Sequence, residues 1–81
     1  MLDILFIMAT EGPSDLARRC NDMLRAGKDF PTIWDTVLKS HQLMASIPRQ
    51  RMDGKQTLLE AWLITGQRLV FDGNVQEFRL E

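Results

Sequence analysis

The chain has a single cysteine and a single histidine, and no apolar stretch long enough to cross a bilayer. With Cys20 alone, no intramolecular disulfide can form, and without a cysteine/histidine cluster no structural zinc is expected. A lone cysteine also suits a reducing compartment, so a cytoplasmic location is expected. An excess of one charge is missing too. Ten basic residues stand against 11 acidic ones, and the formal net charge is −1. That balance excludes a polyanion-binding tail while leaving room for a local basic patch. There are no repeats and no low-complexity segments. The 81 residues suffice for one domain, read as 1–81 with an amino-terminal apolar segment and linker at 1–13. A domain this small has a thin stability margin. Without disulfides or metals, oligomerisation is the remaining way to add to it.

The apolar run from Leu2 to Ala9 carries Asp3 and is far too short to span a membrane. It also lacks the basic flank and small-residue cleavage site of a signal peptide, since Thr10-Glu11-Gly12-Pro13 follows. The run reads as a short helix or strand docked on the core. The alternative is a start at Met8, because Met8-Ala9-Thr10-Glu11 is an ordinary soluble amino terminus. No membrane association is expected.

Beyond Gly12-Pro13, Leu16, Cys20, Met23 and Leu24 fall on one helical face. Ser14 is the expected N-cap and Gly27 the left-handed residue past the end, which places helix one at about 15–26. Asp29 and Pro31 open a second helix, whose stripe is Phe30, Ile33, Trp34, Val37, Leu38, His41 and Met44. Pro48 is expected to stop it shortly after Ser46. From Ile47 the period becomes that of strands, with turns at Asp53-Gly54, Thr65-Gly66 and Asp72-Gly73-Asn74. Four strands are expected at about 47–52, 55–64, 67–72 and 75–80.

A two-residue Gly73-Asn74 loop sets Leu69 opposite Phe78 and Arg68 opposite Arg79, with Leu69, Phe71, Phe78 and Leu80 on one face. The preceding hairpin has two registers. A two-residue loop puts Trp62 beside Leu69; a three-residue loop with Gly66 left-handed puts Leu59, Ala61 and Leu63 on that face. The fold class is therefore α+β: two amphipathic helices, with room for a short third element at the amino terminus, packed on an antiparallel meander of three to four strands. Its core comprises Leu16, Cys20, Met23, Leu24, Phe30, Ile33, Val37, Leu38, Leu69, Phe71, Phe78 and Leu80.

No catalytic, cofactor or metal residues emerge. His41 lies on an apolar stripe and reads as a packing residue, and Cys20 reads as an inert core thiol. A Cys20–His41 pair has no third residue to orient the imidazole. Glu60, an acid in the otherwise apolar Leu58–Ile64 run, reads as a salt-bridge residue for Arg49, Arg51 or Arg68. Asp53-Gly54-Lys55-Gln56-Thr57 lacks the upstream glycine of a phosphate loop and precedes a strand. The helix pattern also fits a winged helix-turn-helix with 31–46 as recognition helix, but that helix carries too little positive charge for phosphate contact.

Two surfaces remain. Arg49, Arg51, Lys55, Arg68 and Arg79 form a candidate basic patch on the sheet, interleaved with Glu60, Asp72 and Glu77. Trp62 or Leu63 with Val70 forms a candidate apolar interface, since 58–64 is apolar on both faces. The expected function is a non-enzymatic protein-interaction or regulatory module, homodimeric or bound to another protein. The alternative is nucleic-acid binding through the basic face, and an enzyme with an unrecognised site ranks third.

Overall fold

Pro13 sets the first helix in motion, because its fixed φ suits a helical first turn and its missing N–H would be unpaired there. The structure, a computed structural model, describes residues 11–81. The apolar run at 2–9 of the expected amino-terminal segment and the choice of start lie outside the described residues. Helix α1 runs Pro13–Arg25 with Gly12 as N-cap. The Gly12 N–H donates to the Asp15 carboxylate at 3.3 Å, so the cap is built from Asp15 and not from the expected Ser14. At the other end Gly27 has φ +91. Lys28 N–H donates to the Met23 carbonyl and Gly27 N–H to that of Leu24, each at 3.0 Å. This is a complete Schellman closure at the glycine expected to provide it.

Asp29 caps the next helix, its Oδ1 accepting the Thr32 N–H at 3.0 Å. Helix α2 is short, Phe30–Ile33, and passes into a π-helical stretch at Trp34–Leu38. The helix expected to reach Ser46 thus ends early. Its β-branched residues Thr32, Ile33, Thr36 and Val37 hold helix weakly, and the sheet offers the following residues other partners. Ile64 N–H donates to the Leu43 carbonyl and Ala45 N–H to that of Trp62, both at 2.8 Å. Met44 forms a bridge with Leu63. Residues 43–45 therefore extend the sheet.

Four strands, β1 (Arg49–Asp53), β2 (Gln56–Trp62), β3 (Arg68–Asp72) and β4 (Glu77–Leu80), form an antiparallel meander in that order. Asp53 pairs with Gln56 across Gly54 and Lys55. The next hairpin takes the three-residue loop, with Gly66 at φ +92 and Leu63 N–H bonded to the Gln67 carbonyl at 2.8 Å. Leu59, Ala61 and Leu63 consequently face the helices.

The last hairpin departs from the expected two-residue loop. Its loop spans 73–76, where Asp72 Oδ1 accepts the Asn74 N–H at 2.9 Å and Gln76 Nε2 donates to the Gly73 carbonyl at 2.8 Å. Gln76 takes φ +54. Phe71 pairs with Phe78, and Leu69 with Leu80. The register is displaced by two residues, one full side-chain period, so each residue keeps its expected face. Only the neighbours change: Arg79 lies opposite Val70.

All twelve expected core residues belong to the cluster between helices and sheet, eight buried and four partly so. Phe30 joins the two layers, its ring centroid 5.1 Å from that of Phe71 and 6.0 Å from that of Phe78. Ala17, Leu43 and Leu63 complete this core.

Candidate interaction surface

The one cysteine and the one histidine are both engaged in holding the fold. Cys20 is buried, and burial pushes its thiol up to about 12, so no thiolate is available near neutral pH. His41 Nδ1 accepts the Leu43 N–H at 3.0 Å, which places the ring proton on Nε2, 2.6 Å from Glu11. Arg19 reaches the same carboxylate at 3.2 Å. The imidazole thus ties the start of α1 to the turn after the π-helical stretch. A crevice of about 10 Å³ among Phe30, Leu59, Leu69 and Phe71 is too small for a ligand. No group of three or more metal-ligating side chains stands together among the described residues.

The sheet face turned away from the helices carries alternate strand residues of the opposite parity. Leu58 and Val70 there are fully buried, and Val70 has Glu60 and Arg79 as its cross-strand neighbours. A lattice of ion pairs spans this face. Arg51 bonds Glu60 and Glu81, each at 3.0 Å, and Arg68 meets the same two acids at 3.2 and 3.6 Å. Arg79 bonds Glu81 at 3.0 Å and Asp72 at 3.5 Å. Because β2 and β3 lie between β1 and β4, the Arg51–Glu81 pair has to cross the face that holds Val70. The long arginine stems can shield such residues while their heads stay near water. Hydrogen bonds from Arg79 and then Arg51 hold the Glu81 carboxyl below the usual range, and bonding to Glu81 raises both arginines.

Of the five residues of the candidate basic patch, three therefore come together and face carboxylates. Arg68 bonds its backbone to Glu81 at 2.9 Å in both directions, in place of the expected Arg79. The Arg68 guanidinium also lies 5.4 Å from the Trp62 ring centroid. Arg49, across from Glu60 on β1, and Lys55, at the hairpin tip, are exposed. Glu60 bonds two of its three expected partners, Arg51 and Arg68. Of the candidate interface residues, Trp62 is 44% exposed, Leu63 belongs to the helix-side core and Val70 is fully buried.

The two edges of the sheet differ. At β4 the Asn21 side chain bonds both backbone groups of Phe78, accepting its N–H at 2.7 Å and donating to its carbonyl at 3.0 Å. A carboxamide thus stands where the next strand would be. At β1 no described strand lies beyond the outer side. Hydrogen-bonding directions alternate along a strand. Leu63 bonds towards Gln67, so Trp62, Glu60 and Leu58 bond towards β1. Their partners Arg49 and Arg51 bond inwards, which leaves the N–H and C=O groups of Gln50 and Met52 facing outwards.

A bulge bounds this open edge on its amino-terminal side. Between the Met44–Leu63 bridge, with Ala45 bonded to Trp62, and the Arg49–Glu60 pair, residues 46–48 stand opposite Ala61 alone. The Ser46 hydroxyl accepts the Trp62 N–H at 2.8 Å where the ladder is interrupted. Pro48 sits in this bulge, a place that requires no ladder donor. Ile47 in the bulge is 72% exposed and Met52 on the edge 65%. Beside Ile47 lies an open recess of about 390 Å³ lined by Trp34, Lys39, Met44, Ala45, Ser46 and Ile47.

No protein-family model, curated protein or solved structure matches the chain. The surface is thus defined by geometry. Sequence reading missed Asn21 and Glu81, although Glu81 follows from the correct register, which sets it against Arg68. No helix among the described residues is long and apolar enough to cross a membrane.

Proposed function

We propose that the protein is a small non-enzymatic interaction module that takes up an extended strand of its partner at the β1 edge. The observation that carries this reading is the difference between the two edges: Asn21 occupies the outward groups of Phe78 on β4, while those of Gln50 and Met52 on β1 face outwards with no described strand beyond them. Main-chain pairing at such an edge supplies affinity, and neighbouring apolar side chains supply selectivity. Met52, Ile47 and the recess beside Trp34 offer those contacts. The buried thiol of Cys20 and the doubly engaged ring of His41 support a role without covalent or acid–base chemistry. On the opposite face, Arg51, Arg68 and Arg79 are matched by Glu60, Asp72 and Glu81, a balance that favours a protein partner over a polyanion.

Met52→Pro tests the reading. It removes one outward N–H and leaves the β1–β2 ladder intact, since proline is tolerated where the N–H faces solvent. Proteins captured by the wild type are expected to be lost from this variant at unchanged circular dichroism. Equal capture by both would reject the edge as the binding element.

A further inference from the structure

The geometry of β1 also points to a specific occupant: we propose that the edge receives a second copy of this chain, paired antiparallel about a two-fold axis through Arg51. This rests on the strand-addition reading above and adds the partner and the register.

Only even-numbered residues of β1 face outwards, so a symmetric pairing must be centred on Gln50, Arg51 or Met52. Centring on Gln50 sets Met52 against Pro48, which has no N–H to give. Centring on Met52 sets Gln50 against Gly54, which lies in the hairpin turn with φ +65. Centring on Arg51 sets Gln50 of each copy against Met52 of the other. Every outward N–H and C=O on the strand then finds a partner, and the exposed Met52 side chain gains cover from the facing Gln50. The bulge at 46–48 and the turn at Gly54 end the pairing on either side.

The charges on the strand fit the same register. Arg49 and Asp53 are both exposed, and no ion pair joins either to another described residue. With Arg51 on the axis, Arg49 of each copy lies opposite Asp53 of the other, giving two complementary cross-strand pairs. Arg51 itself faces Arg51 of the second copy. Each of these guanidiniums is already bonded at 3.0 Å to Glu60 and Glu81 of its own chain, so the like charges are compensated. Isologous pairing of this kind gives a closed dimer with one continuous eight-stranded sheet, and the helical layers of both copies lie on the same face.

A charge exchange reads the register directly. Arg49→Asp alone and Asp53→Arg alone each put like charges opposite one another, and each is expected to weaken self-association by about tenfold. An equimolar mixture of the two variants is expected to regain wild-type association, because the new carboxylate at position 49 meets the new guanidinium at position 53. Both positions lie on the surface outside any ion pair among the described residues. Asp53 adds a coulombic attraction to Arg51, so circular dichroism first checks that each variant is folded, and sedimentation velocity then reports the outcome. Association of the wild type that neither variant changes would overturn the register while leaving strand addition at β1 in place. A wild type that stays monomeric at micromolar concentration would overturn the second copy as occupant. Strand addition itself would then be decided by capture with Met52→Pro.

Discussion

Asn21 and Phe78 stand 57 positions apart in the chain and share two hydrogen bonds, at 2.7 and 3.0 Å. One side chain on α1 thereby occupies the outward groups of Phe78 on the β4 edge and ties the helix to the sheet. Both bonds are partly buried. Asn21→Ala is expected to leave the N–H and carbonyl of Phe78 unpaired and to lower stability by about 1–3 kcal/mol. Urea titration followed by circular dichroism measures this loss. Asn21→Asp keeps an acceptor and loses the donor, so its midpoint is expected to fall between those of the wild type and the alanine variant.

The helix starts give a second prediction. Ser14 lies inside the first turn of α1, and no hydrogen bond from its hydroxyl closes the cap. Ser14→Ala is therefore expected to leave the urea midpoint unchanged. Asp29→Ala removes the acceptor of the Thr32 N–H and is expected to lower it. A fall for Ser14→Ala, with none for Asp29→Ala, would contradict both cap assignments.

Acid stability gives a third. The Glu81 carboxyl lies below the usual carboxylate range because of its bonds to Arg79 and Arg51. A group with a depressed folded pKa holds fewer protons folded than unfolded, so its contribution is complete above the ordinary glutamate value of about 4.3 and is lost as pH falls through the folded one. Glu81→Gln is expected to unfold at lower urea than the wild type at neutral pH. The gap should close on acidification, and added salt should narrow it at neutral pH because the lattice is partly solvated. Urea midpoints collected across that pH range, at low and high salt, check both statements. A gap independent of pH would show that Glu81 acts through packing and not through charge.

The helix-side core was legible because its signal is periodic. Leu16, Cys20, Met23 and Leu24 repeat as one helical face, and Leu69 and Phe71 alternate as one face of a strand. Ionic partners were only partly legible. Glu60 stands out as an acid in an apolar run, so its pairing with arginine could be anticipated. Asn21 gives no such signal, since a polar residue on an exposed helical side is ordinary until β4 is placed beside it. The end of the second helix was hidden for a related reason. The apolar spacing continues through His41 and Met44, and only the backbone bonds of residues 43–45 to 62–64 make the extended alternative better.

The chain by itself determined which residues face inwards and where the main turns fall. These follow from local patterns and from composition, and they survive a displacement of two residues because strand side chains repeat with that period. Tertiary structure decided the rest: that Arg68 meets Glu81 and not Arg79, that Val70 lies beneath an ion-pair lattice, and that Asn21 occupies the outward groups of Phe78 on one sheet edge while no described strand lies beyond β1 on the other. Each of these depends on backbone register or on contacts between residues distant in sequence. Hydrophobic periodicity is the same for both registers, so loop conformation and specific hydrogen bonds had to choose between them.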